Sequence, residues 1–122
     1  MPLVFSEGVL KGRISLEQFV QTTSTNAAKI FGLYPKKGTL LPGSDADAIL
    51  INPSKKRTFS HDNLHTTCGY SPYNGMTTDC TIDPVMLRGK IIARDNTFTG
   101  QKGYGTLLHR KRTVAYEDIV RV

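Results

Sequence analysis

The 122-residue chain is long enough for one domain, and 39% hydrophobic with 21% charged residues is a globular composition that excludes a disordered chain. No apolar run reaches the roughly 20 residues that cross a membrane, and two cysteines are too few for a disulfide framework. The net charge of +6 lies in short basic clusters that are not interleaved with aromatic residues, so we expect no nucleic-acid partner.

Residues 2–33 have helical periodicity. Apolar side chains recur three and four positions apart, as on one face of a helix. They are Ile14, Leu16, Phe19, Val20, Ala27, Ala28, Ile30 and Phe31. Ser15 can cap one helix, Ser24 or Thr25 can cap the next, and Gly32 can end it. The pattern predicts two or three short helices, each with one apolar face.

The next part of the chain has the pattern of strands and turns. The apolar run at residues 48–51 predicts a short buried strand. Residues 81–98 predict a hairpin, with one turn at residues 88–90 and another at residues 95–96. The polar segment 60–79 is too long for a simple connector, which is typical of a functional or packed loop.

Asp45 and Asp47 are the first candidates for chemistry, because paired carboxylates can exchange protons or hold a metal ion. They follow directly after Pro42, Gly43 and Ser44, where a turn is expected. An aspartate in such a turn accepts hydrogen bonds from nearby backbone amides. We therefore predict that this pair supports a turn leading into the strand.

A second candidate is a zinc site, because histidine and cysteine side chains are the ligands that zinc prefers. The chain carries His61, His65, Cys68 and Cys80. Structural zinc sites usually have closely paired ligands, and the second cysteine stands alone at a spacing that matches no familiar module. The segment is also rich in turns, so the two histidines are not expected on one helical turn. We predict no metal site.

Two further patterns are weak. Gly100, Gly103 and Gly105 resemble a phosphate-binding loop, but a basic tail follows them where such a loop would open a helix. No Gly-x-Ser-x-Gly motif accompanies the possible nucleophiles. These nucleophiles are Ser6, Cys68 and Ser71. The residues alone therefore predict no catalytic, cofactor-binding or metal-binding side chain.

Longer stretches carry a family resemblance. Residues 28–35 read AKIFGLYP, residues 37–38 read KG, and residues 43–47 read GSDAD before an apolar strand. With residues 85–105, these stretches resemble the C-terminal portion of dihydropyrimidinases and D-hydantoinases, which are cyclic amidohydrolases. The resemblance extends over about residues 3 to 110. It indicates that Asp45 and Asp47 belong to a structural signature.

The resemblance implies a fold and a reaction. The family combines a metal-bearing (β/α)8 barrel with a smaller β-sandwich assembled from both chain ends, and a divalent metal pair such as zinc assists water attack on a cyclic amide. The family's histidine, carboxylated lysine and aspartate ligands all precede the matched region, so the resemblance assigns no ligand or cofactor to this chain.

The expected fold class is α+β, with short helices from the end of a barrel followed by a small antiparallel or mixed sheet. We divide the chain into a helical segment at residues 1–37, a partial β-sandwich at residues 38–110 and a C-terminal tail at residues 111–122. The expected function is that of a catalytically incomplete portion of a hydantoinase-like hydrolase, inactive alone. The alternative is a non-catalytic assembly module derived from the same family.

The partners follow from the missing half of such a fold. An open sheet edge recruits another strand, and exposed apolar helix faces mark association sites. We expect a homo-oligomer or a complementary N-terminal chain, and no membrane partner. The first residues lack the charged region and cleavage site of a signal peptide, so a cytoplasmic location is expected.

Overall fold

The structure is a computed structural model that describes residues 1–111, so most of the tail predicted at residues 111–122 lies outside it. Two helical segments come first. The first consists of α1 (Pro2–Val4) and a π-helical stretch (Phe5–Val9). The second runs from residue 16 to residue 30 as α2 (Leu16–Val20), a π-helical stretch (Gln21–Thr25) and α3 (Asn26–Ile30).

The start of the second helical segment confirms the predicted Ser15 cap. Ser15 Oγ accepts from the Gln18 amide at 3.2 Å, and Gln18 Oε1 accepts from the Ser15 amide at 2.9 Å. This reciprocal pair is a capping box, which satisfies two amides that a helix start leaves free. Gly32, with φ of 67°, follows the last turn, as predicted for a helix end.

The predicted second cap at Ser24 or Thr25 is wrong, because the helix continues through both residues. The Thr25 hydroxyl instead donates to the Gly38 carbonyl at 2.8 Å. Upstream, the Thr23 hydroxyl donates to the Phe19 carbonyl at 2.7 Å. Threonine hydroxyls that bond to carbonyls of the preceding turn loosen a helix, and here the turn widens into a π-helix without ending the segment.

Among residues 1–111, six strands form two antiparallel sheets. The strands are β1 (Ala48–Asn52), β2 (Arg57–Thr58), β3 (Thr77–Thr78), β4 (Thr81–Leu87), β5 (Lys90–Arg94) and β6 (Thr97–Phe98). The larger sheet has the order β1-β4-β5-β6, and β2 pairs with β3. The long polar segment contains a 3-10 turn (His61–Asn63). The expected α+β class, with short helices and a small sheet, is confirmed.

Both predicted turns are present. Arg88 and Gly89 have φ of 46° and 77° between β4 and β5, and Asp95 and Asn96 have φ of 48° and 61° between β5 and β6. Two consecutive positive φ values suit the right-handed twist of paired strands. The predicted burial of β1 is wrong, because Leu50 is 49% exposed. β1 lies at one end of the larger sheet, and nothing among residues 1–111 covers both of its faces.

A small core joins the first helix to the sheet. The rings of Phe5 and Phe19 meet edge to face with centroids 5.3 Å apart, and the two residues form one buried cluster with the fully buried Cys80. Ser6 Oγ accepts from the Asp79 amide at 3.0 Å, which fixes the first helical segment beside the start of β4. The domain boundary at residue 37 stays a prediction, since helices end at residue 30 and the larger sheet begins at residue 48.

Candidate functional site

Asp45 lies in a compact ionic network at the end of the loop that precedes β1. Its side chain is buried, and its two oxygens contact two lysines. Oδ1 lies 2.6 Å from Lys36 Nζ, and Oδ2 lies 2.8 Å from Lys37 Nζ. Lys37 Nζ also contacts Asp47 Oδ2, so one half-buried ammonium links both carboxylates. We call Lys36, Lys37, Asp45 and Asp47 the Lys–Asp network.

The network connects distant parts of the chain. Asp47 Oδ1 accepts from the Arg88 amide at 2.9 Å, and the Gly89 amide donates to the Ala46 carbonyl at 2.8 Å. The loop before β1 is therefore tied to the turn between β4 and β5. The predicted structural role agrees with these contacts, but the predicted local turn bonds are wrong, because the side chains bind lysines and an amide 41 residues away.

The same contacts determine the protonation states of Asp45 and Lys37. Hydrogen bonds from Lys36 and then from Lys37 lower the pKa of Asp45 to about 2 from its usual 3.8. Burial lowers the pKa of Lys37, but its hydrogen bonds to Asp45 and Asp47 outweigh burial, and the net pKa is raised. Asp45 therefore stays ionised at neutral pH with each oxygen facing an ammonium, an arrangement unsuited to a general base.

The four candidate zinc ligands do not converge. His61 Nε2 lies 2.9 Å from Asp62, and His65 Nε2 lies 3.1 Å from the Asn96 carbonyl. Cys68 is exposed, whereas Cys80 lies in the core. Within residues 1–111 no three histidine, cysteine, aspartate or glutamate side chains are grouped so that they could hold a metal ion. These residues do not fit the family's metal pair, and the absence of a metal ligand stays a prediction.

The remaining candidates have structural contacts. The buried Ser6 hydroxyl accepts a backbone amide, and Ser71 Oγ accepts the Tyr73 amide at 3.2 Å. A Cβ on Gly100 would meet the exposed Phe98 ring at 2.6 Å, so a larger residue there would displace that ring. These contacts account for the residues without assigning them chemistry.

An apolar cleft of about 670 Å³, which no sequence pattern predicts, lies between the second helical segment and the larger sheet. Leu16 and Phe31 on the helical wall are 53% and 64% exposed, and Leu40 nearby is 71% exposed. Its lining includes Leu16, Phe19, Val20, Ala27, Phe31, Leu33, Leu40, Ile49, Ile51, Val85, Leu87 and Ile92. The helical periodicity signals one of its walls, but no sequence pattern shows that the wall stays open.

Lys37, Asp45 and Asp47 also line this cleft, so the ionic network forms part of its rim. The helices supply one wall through residues three and four apart, and β1, β4 and β5 supply the other. A concave apolar surface with a few polar groups at its rim is suited to binding a partner. The cleft is therefore the candidate binding site in the part of the chain that the structure describes.

Comparisons with known proteins agree with this architecture. Residues 5–92 match the model of the Amidohydrolase family. D-phenylhydantoinase of Escherichia coli O1:K1 / APEC is 48% identical over 111 residues, which are 91% of this chain and 24% of that protein. This similarity confirms the expected resemblance to hydantoinases.

Solved structures have the same local fold. Dihydropyrimidinase from Brevibacillus agri NCHU1002 superposes with a TM-score of 0.87 at 42% identity, over 93% of this chain and 25% of that one. D-hydantoinase from Bacillus sp. AR9 gives 0.83 at 45% identity, over 88% and 24%. The chain thus spans about a quarter of the length of these relatives. With most of its residues matched in sequence and in structure, the chain belongs to the amidohydrolase family.

Proposed function

We propose that this chain is the C-terminal portion of a D-hydantoinase- or dihydropyrimidinase-like hydrolase that opens cyclic amides such as hydantoins and dihydropyrimidines. The observation that carries the proposal is 48% identity to D-phenylhydantoinase over nearly the whole of this chain. Superposition on solved D-hydantoinase and dihydropyrimidinase structures supports the same assignment. A cytoplasmic location belongs to the proposal as well.

The chain is catalytically incomplete in this proposal. Its buried carboxylate is engaged by lysines, and no three histidine, cysteine, aspartate or glutamate side chains of residues 1–111 are grouped so that they could hold a metal ion. Its contribution is structural: the Lys–Asp network fixes the loop before β1 against the turn between β4 and β5. No helix among the described residues has the length and apolar character to cross a membrane, and we include no membrane or nucleic-acid partner.

Association with another chain completes the proposal. The apolar cleft and the half-exposed strand β1 lie next to each other, since Ile49 and Ile51 of β1 line the cleft. An open strand edge offers hydrogen bonds, and the adjoining apolar wall offers burial. The occupant is a complementary N-terminal chain or a second copy of this chain. Light scattering at micromolar concentration tests the second case, and a monodisperse monomer contradicts it.

The first experiment measures hydrolysis by the isolated chain. We expect no ring opening of hydantoin or dihydrouracil with added zinc or manganese, because the described residues offer no cluster of ligands for a metal ion. A full-length D-phenylhydantoinase in the same assay is the positive control. Metal-dependent turnover by this chain alone overturns the proposed incompleteness.

The second experiment tests whether this chain is a portion of a working hydrolase. This chain replaces the matching 111 residues of E. coli D-phenylhydantoinase, and the chimera is assayed for metal content and for hydantoin hydrolysis. Retained hydrolysis supports a portion of a working hydrolase. A folded, metal-loaded chimera without activity contradicts it and favours the alternative, a non-catalytic assembly module from the same family.

The chimera also offers matched variants. Asp45→Asn in the chimera removes the carboxylate charge from the Lys–Asp network, whereas Asp62→Asn changes a carboxylate that is 79% exposed. We expect the first variant to lower the yield of folded, active chimera and the second to leave it unchanged. Equal yields contradict the structural role of the network without affecting the parentage.

A further inference from the structure

Asn74 and Gly75 are exposed neighbours in the loop before β3. The Asn74 carboxamide makes no hydrogen bond or ionic contact within residues 1–111. Gly75 has φ of 80°, and nothing lies within 4 Å of the position where a Cβ would stand. In an asparagine–glycine pair the backbone can attack the side-chain amide, because glycine has no Cβ that would hinder the approach of its nitrogen.

We propose that Asn74 is a site of spontaneous deamidation. The Gly75 nitrogen loses its proton and bonds to Cγ of Asn74, while the Cγ–Nδ2 bond breaks and ammonia leaves. The resulting five-membered succinimide then takes up one water molecule. Addition at Cγ gives aspartate, and addition at the backbone carbonyl carbon gives isoaspartate. The reaction needs only water and is faster in mild alkali, which favours the deprotonated nitrogen.

The structure affects the rate of deamidation as well as its position in the chain. The Gly75 amide donates to the Phe59 carbonyl at 2.8 Å, so this hydrogen bond must open before the nitrogen can attack. Both residues of the pair are exposed, and exposed loops open at low cost compared with a core. The reaction therefore proceeds in the folded chain, and proceeds faster when unfolding releases the Gly75 amide.

The other asparagines of this chain are less suited to the reaction. Asn52 precedes a proline, whose nitrogen carries no hydrogen. The carboxamide of Asn63 accepts the Ser60 amide at 3.1 Å, and that of Asn96 accepts from Arg57 at 3.1 Å. Asn26 lies in α3, where helical geometry holds the backbone. The reaction is therefore selective for one position.

The two products act differently on the fold. Aspartate at position 74 lowers the formal net charge from +6 by one, to +5. Isoaspartate also adds a methylene to the main chain, which moves the Gly75 amide away from the Phe59 carbonyl. Phe59 is 8% exposed and its amide donates to the Met76 carbonyl at 2.9 Å, so this product loosens the pairing of β2 with β3.

The test is incubation of the full chain in mildly alkaline buffer, followed by ion-exchange separation and peptide mass mapping. We expect an acidic variant with the mass change of amide to acid at Asn74, ahead of every other asparagine, and slower formation in mild acid. Asn74→Gln is the blocking control and should lose the shift. Asn96, whose carboxamide donates to the Asn63 carbonyl at 3.2 Å, is the internal control.

A parallel incubation in urea separates the effects of sequence and fold. Faster conversion at Asn74 in urea, with measurable conversion in native buffer, supports the proposal. Conversion in urea alone shows that the Phe59 hydrogen bond blocks the folded chain, and it overturns the proposal. Earlier reaction at Asn96 or at any other asparagine in native buffer overturns it too. Neither outcome bears on the hydrolase assignment.

Discussion

The Lys–Asp network and the apolar cleft lie side by side, yet they differ in how completely this chain satisfies them. In the network, each oxygen of Asp45 meets an ammonium, and Asp47 also accepts the Arg88 amide. In the cleft, Phe31 and Leu40 remain 64% and 71% exposed. Among residues 1–111 the buried side-chain polar atoms all have hydrogen-bond partners, whereas many large apolar side chains stay exposed.

This difference shows which interactions are completed between residues of this chain. Hydrogen bonds and ion pairs need specific partners at short range, and the loop, the lysines and the turn between β4 and β5 all lie within this chain. Burial of apolar surface needs enough surrounding protein to exclude water. Only a few hydrophobic side chains of residues 1–111 are buried in this way. The segment therefore specifies its own shape more completely than it covers its own apolar surface.

The largest loss of stability is expected from a substitution in the small core at the end of the cleft. Phe19 is 4% exposed and meets Phe5 edge to face, so Phe19→Ala removes a buried ring and leaves a cavity. Such a change costs about 3–5 kcal/mol of unfolding free energy. Because the core is small, we expect loss of the cooperative transition in urea followed by circular dichroism.

Phe31→Ala is the matched control, since the same ring is removed from the same cleft at a site that is 64% exposed. A surface change of this kind stays within about 0.5 kcal/mol. A loss of stability at Phe31 as large as that at Phe19 would show that the cleft is already closed within one copy and that its apolar side chains need no partner.

The turns and caps are the part of the fold that local sequence specifies. Gly89 and the Asp95-Asn96 pair predict tight turns because they tolerate positive φ, and both turns are present. Ser15 and Gln18 predict a helix start for the same local reason. Such features depend on a few neighbouring residues, so a sequence pattern is enough to find them.

Features that depend on distant residues were harder to predict. The apolar run of β1 predicts burial on both faces, but burial depends on what covers the strand, and Leu50 stays half exposed. The lysine partners of Asp45 lie eight and nine positions upstream, beyond the reach of turn rules. The cleft likewise depends on how helices and sheet meet, which periodicity alone does not determine.

A smaller effect is expected from the network. Asp45→Asn removes the charge that two lysines face and leaves the half-buried Lys37 with Asp47 as its carboxylate partner. We expect a lower urea midpoint than in the wild type, with a smaller loss than for Phe19→Ala. Asp62→Asn, at a side chain 79% exposed, is the control and should leave the midpoint unchanged. Equal midpoints for all three proteins would contradict a stabilising network.

The smallest expected effect is the loss of the stabilisation by Asp45 at acid pH. The folded pKa of Asp45 is about 2 and its usual value is 3.8, so the folded state favours the ionised carboxylate. Its stabilisation is therefore complete above about pH 3.8 and is lost as the pH falls through about 2. Urea midpoints of the wild type and Asp45→Asn should converge across this window, because asparagine does not titrate. A constant difference between the two proteins would show that the lysines do not hold this carboxylate in its ionised form.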